Sequence, residues 1–352
     1  MNPADLARPE IRALAPYASA RALADSAGIL LNANENPWPP PGDPGLGLNR
    51  YPDPQPAELK ARLAELYDVE PEQLLITRGS DEGIDLLMRA FVRAGQDRVL
   101  VCPPCFGMYA LSARIQGAEV VEVNLSEGDS DWTLDPSRLA AAPPCRLYFL
   151  CSPNNPTGNL LPAGQVLDLA QSVAGHGLVI IDEAYIEFCS EPSLAGHIAA
   201  TPNLVVLRTL SKAYALAGCR LGTVIADPQV IGLLRRIIAP YPLPTPAIAA
   251  ALRALAEVDK VSSQLAELAS EKRRLLHALS AHPAIVRIWP GAANFILVRT
   301  SPAANLVAAA AAAGIRLRDQ SAQPALSNCV RITVGTPAET DRLLAFFKEW
   351  KP

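Results

Sequence analysis

The sequence predicts an α/β protein: a large domain with a mostly parallel sheet covered by helices, and a smaller α+β domain. Short, continuous apolar runs recur along the first two thirds of the chain, as is typical of strands buried on both faces. Segments with helical spacing separate these runs, and this alternation is typical of parallel sheets. A proline-rich segment at 238–246 then interrupts the pattern and indicates a hinge between two domains.

Three segments follow from this pattern. Residues 1–48 are proline-rich and irregular, so we expect an arm that lies across the rest of the molecule, with a plain loop as the alternative. Residues 49–240 contain the strands and helices of the large domain, and the first helix is predicted over 57–67. Residues 241–352 contain the smaller domain, which begins with a long helix predicted over 247–279.

Six apolar runs are predicted to be strands of the large sheet. In chain order they are residues 99–101, 119–123, 147–150, 178–181, 204–207 and 221–226. The carboxyl ends of parallel strands meet at one edge of a sheet, where the ligands of such folds collect. Residues that carry chemistry follow four of these runs: Tyr109, the segment 151–158, the segment 182–185 and the pair Ser211–Lys212. We therefore expect these residues to line one crevice.

A glycine turn at Gly79 opens an amphipathic helix, with Ser80 as its predicted N-cap. Free backbone amides at the start of a helix bind anions, so the amides of Ser80 and Asp81 are candidates for a phosphate site. A well-capped helix without a ligand is the alternative if this motif stands alone.

The segment 208–220 starts where a predicted strand ends, and it contains a lysine among residues that bind phosphate. The amine of Lys212 can form a Schiff base with an aldehyde. The hydroxyls of Thr209 and Ser211 and the guanidinium of Arg220 are suited to hold a phosphate beside that amine. A solvated lysine on a loop is the alternative for Lys212 taken alone.

Together these residues match the needs of pyridoxal phosphate. Its aldehyde requires an amine, which Lys212 supplies, and its phosphate requires the donors named above. Its pyridine nitrogen requires a carboxylate to stay protonated, and Asp182 is the candidate. Asn155 and Tyr185 are candidate donors to the phenolic oxygen, and Tyr109 is the candidate that covers the face of the ring.

Composition and charge exclude several classes of function. With 31 basic and 35 acidic residues the net charge is −4, so we expect no surface for nucleic acid or anionic membrane. The start of the chain shows no secretory signal, and no apolar stretch is long enough to cross a bilayer, so we expect a soluble protein. Seven scattered cysteines fit free thiols in a reducing cytoplasm.

Cys102 and Cys105 have the C-x-x-C spacing of some redox and zinc sites. A zinc site needs a second pair, and a redox pair opens a helix in a thioredoxin-like unit, whereas this pair leads from a strand into a loop. We therefore expect a structural role and no metal site. The glycine fingerprint of nicotinamide-binding folds is also absent.

Four segments of the chain resemble the fold-type I, class II aminotransferases, which use pyridoxal phosphate. These segments are residues 79–85, 152–158, 182–185 and 208–220. Within this class, the chain is similar along essentially its whole length to the family of histidinol-phosphate aminotransferases. The finer similarity is carried by residues 31–37, 50–52, 107–109, 238–246, 314–319 and 331–336.

The resemblance implies an activity and further site residues. The activity is transamination of L-histidinol phosphate with 2-oxoglutarate, giving imidazole-acetol phosphate and L-glutamate, in L-histidine biosynthesis. The family forms homodimers, which implies that the arm joins the small domain and the partner, and that Tyr51 reaches the cofactor phosphate of the neighbouring subunit. The implied substrate contacts are Tyr17, Tyr241, Arg318 and Arg331.

The resemblance also gives catalytic roles to Lys212, Asp182 and Tyr185. Arg318 and Arg331 are expected to bind the phosphate monoester of histidinol phosphate, and then glutamate in the other half-reaction. The alternative for Arg318 is an exposed charge at a strand end, and the alternative for Arg331 is a buried structural ion pair.

Other functions remain as alternatives. Threonine-phosphate decarboxylase has similar motifs but expels carbon dioxide, and a broad aromatic-amino-acid aminotransferase shares the fold. From a different class, a ligand-sensing regulator keeps a transaminase-like module without catalysis. Such regulators carry an added DNA-binding domain, and we expect none because the segment before Tyr17 is short and not basic.

Overall fold

The computed structural model describes these residues: 2–15, 17, 28–128 and 131–351. Part of the predicted N-terminal arm therefore lies outside the described residues. The first described segment is not irregular, because it forms a 3-10 helix at Pro3–Leu6 and the helix α1 at Pro9–Ala13, each with a proline near its start. Leu6 and Ile11 are buried in the core of the large domain.

The described residues of the first two thirds of the chain form nine strands. They are β1 (Leu74–Thr77), β2 (Arg98–Val101), β3 (Glu119–Glu122), β4 (Ser126–Glu127), β5 (Trp132–Thr133), β6 (Leu147–Cys151), β7 (Leu178–Asp182), β8 (Leu204–Thr209) and β9 (Gly222–Ala226). Seven of them form one sheet in the order β1-β9-β8-β7-β6-β2-β3. Parallel pairing joins β3, β2, β6, β7 and β8, whereas β9 runs antiparallel to both β8 and β1. The predicted mostly parallel sheet is confirmed.

Helices cover both faces of this sheet. They are α2 (Ala57–Tyr67), α3 (Gly79–Phe91), α4 (Met108–Ile115), α5 (Pro136–Ala140), α6 (Ala163–Ser172) and α7 (Pro228–Ile237). Side chains alternate between the two faces of a strand, so Leu204 and Val206 of β8 join one apolar core while Val205 and Leu207 join the other. This double burial explains why the strands are continuous apolar runs in the sequence.

The last part of the chain builds a second, antiparallel sheet. Its elements are α8 (Thr245–Leu255), α9 (Val258–Ser280), β10 (Ile285–Trp289), β11 (Phe295–Thr300), α10 (Ala303–Ala312), β12 (Arg318–Asp319), β13 (Cys329–Thr333) and α11 (Pro337–Glu349). The strand order is β10-β11-β13-β12. Residues of α9, α10 and α11 share an apolar core with this sheet, which forms the α+β unit that the sequence predicts.

The prediction of one long helix over 247–279 is wrong, because Ala256 and Glu257 form a turn between α8 and α9. Neither residue breaks helices by itself. Leu255 of α8 and Val261 near the start of α9 share one apolar core, whereas Leu275 further along α9 packs with the small sheet. The predicted boundary between residues 240 and 241 stays a prediction.

The hairpin β4–β5 joins the two sheets. Glu127 accepts hydrogen bonds from Arg287 at 2.8 Å and from Arg299 at 2.9 Å. Both guanidinium groups lie over the ring of Trp289, at 4.8 and 4.9 Å from its centroid, and the ring of Trp132 lies 5.6 Å from that ring. This cluster of charge and aromatic contacts holds the small domain against the large one beside the site.

Candidate functional site

One pocket opens at the carboxyl ends of β6, β7 and β8, and both sheets contribute to its walls. Its volume is about 700 Å³, which is typical of small-molecule sites. Most of the predicted site residues line it, namely Ser80, Asp81, Tyr109, Asn155, Asp182, Tyr185, Thr209, Ser211, Lys212, Arg220, Arg318 and Arg331. The strand ends therefore converge on one crevice, as the sequence predicts.

The start of α3 forms one end of the pocket. The N-cap is Arg78 rather than the predicted Ser80, which lies in the first turn, where backbone amides have no acceptor within the helix. Gly222 of β9 packs against this turn so closely that a Cβ there would lie 2.5 Å from the amide nitrogen of Ser80. Nη2 of Arg220 lies 3.2 Å from Oδ2 of Asp81. The turn therefore combines free amides with a guanidinium, which is an anion site.

The turn after β8 brings two hydroxyls to the same end of the pocket. Thr209 Oγ1 donates to the carbonyl of Leu221 at 3.0 Å and accepts from the amide of Ser211 at 3.1 Å. The two hydroxyl oxygens of Thr209 and Ser211 are 2.9 Å apart. Thr209 is buried, so its main effect is to fix the turn that presents Ser211 and Lys212.

Asp182 ends β7 in the floor of the pocket and is buried. Its Oδ2 accepts a hydrogen bond of 2.7 Å from the hydroxyl of Tyr109, and its Oδ1 accepts one of 3.0 Å from the amide of Ala184. Burial raises the pKa of this carboxyl from 3.8 to about 6, although both hydrogen bonds act in the opposite direction. A cation beside the carboxylate would relieve the cost of burying its charge.

The predicted role of Tyr109 as the cover of the cofactor ring does not fit the structure. Its ring has no exposed surface and stacks on Phe149 at 5.0 Å, and its hydroxyl is committed to Asp182. Phe106, which meets Tyr109 edge-on at 5.6 Å, also lines the pocket and is partly exposed. Phe106 therefore presents an aromatic ring to the cavity, three residues before the predicted one.

Lys212 follows β8 and its side chain enters the same pocket. Its Nζ lies 5.5 Å from the centroid of the Tyr185 ring and makes no hydrogen bond to another described residue. Desolvation and the nearby guanidinium of Arg331 lower the pKa of the Lys212 amine, while the carboxylate of Asp182 acts against them. The amine is thus closer to its neutral, nucleophilic form than an ordinary lysine.

The loop after β6 is held by contact with the small domain. The backbones of Gly158 and Gly291 touch, since a Cβ on Gly158 would lie 2.8 Å from Cα of Gly291. The amide of Ala292 also donates to the carbonyl of Gly158 at 2.6 Å. Asn155 belongs to this loop, and its Oδ1 accepts a hydrogen bond from Nη1 of Arg331 on the small sheet. Asn155 is therefore positioned by both domains.

Arg331 does not form the buried structural ion pair that was the alternative to a substrate contact. Its guanidinium lies 5.3 Å over the ring of Phe295 and contacts Asn155, and its Nε is buried without a hydrogen-bond partner. Desolvation and the nearby Arg318 lower its pKa. The two arginines are cross-strand partners on β12 and β13. Two adjacent cations with no carboxylate between them favour an anionic ligand.

The sequence analysis missed Phe106 and a pair of glutamines in the pocket wall, Gln320 and Gln323. The position of Phe106 in the loop that follows β2 was the available signal. No pattern in the sequence singles out the glutamines.

Tyr17, Tyr51 and Tyr241 do not line the pocket of their own chain. Tyr51 stacks on Tyr241 with ring centroids 4.3 Å apart, and about half of the Tyr51 surface is exposed. The backbone amide of Tyr51 donates to Glu35 at 2.7 Å, which ties this pair to the arm. Tyr17 is 73% exposed. Their roles stay predictions.

No three His, Cys, Asp or Glu side chains are grouped to hold a metal ion in the described ranges. In that same part of the chain, no helix is both long and apolar enough to span a membrane. All seven cysteines are free, and burial raises the pKa of Cys105 to about 12 and that of Cys102 well above its usual value. Neither thiol is a reactive thiolate at neutral pH.

Comparison with known proteins identifies the family of the chain. The family described as aminotransferase class I and II matches residues 44–347. A histidinol-phosphate aminotransferase from Xylella fastidiosa is 48% identical over 350 residues, covering 98% of this chain and 96% of the relative. One from Stenotrophomonas maltophilia is 45% identical, covering 97% and 95%. A solved structure with a similar fold is histidinol-phosphate aminotransferase from Sinorhizobium meliloti in complex with pyridoxal-5'-phosphate. The two structures superpose with a TM-score of 0.75 at 27% sequence identity, over 85% of this chain and 83% of that one. The chain therefore belongs to the class I and II aminotransferases and, within them, to the histidinol-phosphate aminotransferase family.

Proposed function

We propose that the chain transfers the amino group of L-histidinol phosphate to 2-oxoglutarate with pyridoxal phosphate as cofactor. The products are imidazole-acetol phosphate and L-glutamate, and the reaction belongs to L-histidine biosynthesis. The observation that carries the proposal is the pair Arg318 and Arg331, which faces the same pocket as Lys212 and Asp182. A site with an amine, a buried carboxylate and two separate anion subsites fits a phosphorylated cofactor and a phosphorylated substrate.

The residues present fit this cofactor. The first turn of α3, with Ser80, Asp81, Ser211 and Arg220, would hold its phosphate, and the lack of a side chain at Gly222 lets β9 pack directly against that turn. Asp182 is a buried carboxylate whose charge lacks a cationic partner at hydrogen-bond distance among the described residues, so a protonated ring nitrogen suits it.

Donors for the phenolic oxygen and a cover for the ring complete the fit. Oδ1 of Asn155 is used by Arg331, which leaves its Nδ2 to donate, and Tyr185 offers its hydroxyl from the same wall. Phe106 would cover one face of the ring. When bound, the cofactor supplies an aldehyde that condenses with amines and a protonated ring that withdraws electrons.

Each protein group then has a defined task. Nζ of Lys212 takes the proton from the substrate carbon that bears the amino group, and it is suited to do so because its pKa is lowered. The carboxylate of Asp182 would keep the ring nitrogen protonated when the cofactor is bound. Arg318 and Arg331 bind the phosphate monoester in one half-reaction and a carboxylate of 2-oxoglutarate or glutamate in the other.

We further propose a homodimer in the cytoplasm. The half-exposed stack of Tyr51 on Tyr241 offers an aromatic surface for the partner's site, in keeping with the predicted reach of Tyr51 to the partner's cofactor phosphate. Tyr17 would approach the substrate from the arm. The seven free cysteines suit a reducing compartment. No nucleic acid or membrane takes part.

Amino-donor profiling tests the proposal. The purified protein is given 2-oxoglutarate with L-histidinol phosphate, histidine, phenylalanine or threonine phosphate, and glutamate and carbon dioxide are measured. We expect glutamate from histidinol phosphate with a kcat/KM at least tenfold above that of histidine or phenylalanine, since neither of these places a phosphate dianion at the arginine pair. Threonine phosphate does carry such a dianion, so its comparison tests recognition of the rest of the donor. Carbon dioxide from threonine phosphate, or phenylalanine as the best donor, would overturn the assignment.

A further inference from the structure

Two glutamines lie beside the arginine pair in the wall of the pocket. Gln320 directly follows β12, so it is on the same face as Arg318, two residues earlier. Its backbone amide donates to the carbonyl of Cys329 at 2.9 Å, which extends the pairing of β12 with β13 beyond the partners Arg318 and Arg331. Gln320, Arg318 and Arg331 therefore share one face of the small sheet.

The amide of Gln320 is held in one orientation. Nε2 of Gln323 donates a hydrogen bond of 3.0 Å to Oε1 of Gln320, and the backbone amide of Gln323 donates to the carbonyl of Gln320 at 3.0 Å. Oε1 of Gln320 is thus occupied by its neighbour in the pocket wall. Its Nε2 donates to no other described residue, although Gln320 is only 7% exposed and lines the pocket. Nε2 of Gln320 is not among the buried side-chain atoms that lack a partner, so it is open to the cavity. A donor that is open to the cavity beside two guanidinium groups is suited to an anion.

We propose that Gln320, oriented by Gln323, is a third donor of the substrate-anion subsite and selects a phosphate monoester over a carboxylate. This inference rests on the proposed function, because it assumes that the substrate phosphate occupies the subsite of Arg318 and Arg331. It assigns to the chain a specificity-determining residue that acts in only one of the two half-reactions.

The selectivity follows from the shapes of the two anions. A phosphate monoester presents three terminal oxygens in a tetrahedron, whereas a carboxylate presents two oxygens in a plane. The guanidinium groups of Arg318 and Arg331 can satisfy both carboxylate oxygens by themselves. The third phosphate oxygen needs another donor, and Nε2 of Gln320 is on the same face. The amide carries no charge, so it adds a hydrogen bond without strengthening the general attraction for anions.

Three variants of the cofactor-loaded protein test this inference. Gln320→Leu removes the donor, Gln320→Glu places a negative charge at the same position, and Gln323→Leu removes the group that orients Gln320. The exposed Gln229→Leu on α7 is the matched control. For each, kcat and KM are measured separately for histidinol phosphate and for glutamate, together with the inhibition constants of inorganic phosphate and acetate.

We expect Gln320→Leu to raise the KM for histidinol phosphate and the inhibition constant of inorganic phosphate about tenfold, as is typical for loss of a hydrogen bond to a charged group. The glutamate parameters, acetate inhibition and kcat should stay within about threefold. Gln320→Glu should raise both constants further, because the new carboxylate repels the dianion. Gln323→Leu should raise them less, because Gln320 keeps its donor. The Gln229→Leu control should match the wild type.

Three outcomes would overturn the inference. If Gln320→Leu lowers kcat/KM equally for histidinol phosphate and for glutamate, Gln320 only supports the local structure of the pocket wall. Tighter phosphate binding by Gln320→Leu would mean that its oxygen faces the anion. Unchanged phosphate inhibition would place the anion elsewhere. Failure of the proposed function would be a separate result, because the wild type would then show no activity with histidinol phosphate. The inference about Gln320 depends instead on the ratio of the constants between variant and wild type.

Discussion

The hydroxyl of Tyr109 donates a hydrogen bond of 2.7 Å to Oδ2 of Asp182, and both residues are buried beneath the pocket. The bond lowers the pKa of Asp182, but burial outweighs it, so the pKa is raised to about 6 with the bond in place. It therefore helps to keep the carboxylate ionised in a place where its charge is costly. Tyr109 supports the residue that we assign to the ring nitrogen.

Removal of this hydroxyl should narrow the pH range of activity. In Tyr109→Phe the pKa of Asp182 rises, so the acid limb of the pH profile of kcat/KM should move to higher pH, and activity at pH 6 should fall about tenfold for the loss of one charge-assisted bond. The measurement is the profile from pH 5 to 9 of variant and wild type. Coincident acid limbs would show that the bond does not tune the carboxylate.

The buried carboxyl of Asp182 should also make stability depend on pH in protein freed of its cofactor. Its folded pKa of about 6 lies above its usual value of 3.8, so its contribution to the free energy of unfolding falls as pH rises through that interval. Asp182→Asn removes this penalty. The free energy of unfolding of the variant, relative to that of the wild type, should therefore rise by about 3 kcal/mol between pH 3.5 and pH 7. Urea unfolding at both pH values measures the gain, with the exposed Asp168→Asn as control. If the difference in unfolding free energy between Asp182→Asn and the wild type is the same at both pH values, the pKa of Asp182 is not raised.

Phe106, rather than Tyr109, should contribute to cofactor affinity. Phe106→Ala removes the ring that faces the pocket and should raise the dissociation constant of pyridoxal phosphate about tenfold. The control is Ile115→Ala on α4, because Ile115 is 74% exposed and lies outside the pocket. The dissociation constants come from titration of cofactor-free protein monitored by absorbance. An effect no larger than that of Ile115→Ala would remove Phe106 from the site.

Two glycine substitutions should have opposite effects. Gly222→Ala puts a methyl group 2.5 Å from the backbone nitrogen of Ser80, so the start of α3 must shift, at a cost of about 1–3 kcal/mol in stability and with weaker phosphate binding. Gly232→Ala lies in α7 with nothing within 4 Å of the new methyl and should stabilise the fold by about 0.5–1 kcal/mol. Thermal unfolding and phosphate titration of both proteins provide the comparison. If Gly222→Ala changes neither stability nor phosphate affinity, the start of α3 is not packed tightly against β9.

Strand ends were the part of the site that the sequence could predict. Asp182 ends one buried strand and Lys212 follows another, and the sheet must bring those strand ends together whatever conformation the loops adopt. The direction of β9 was not predictable in this way, since a buried strand has the same apolar run in either direction.

The choice between two aromatic rings could not be made from the sequence. Phe106 and Tyr109 are in the same short segment, and only the start of α4 at Met108 decides which ring points into the core. Similarly, the break between α8 and α9 falls on residues that suit a helix, so no local signal in the sequence marks it. Gln320 gains its position from strand pairing with β13, which no local pattern reveals.

The attachment of pyridoxal phosphate to Lys212 is the central claim, and borohydride reduction followed by peptide mass mapping tests it most directly. Reduction should fix one pyridoxyl group per chain on the peptide that contains Lys212, and Lys212→Ala should take up no label and show no turnover. A label on another lysine, such as the half-buried Lys272, or no label on an active enzyme, would contradict the assignment.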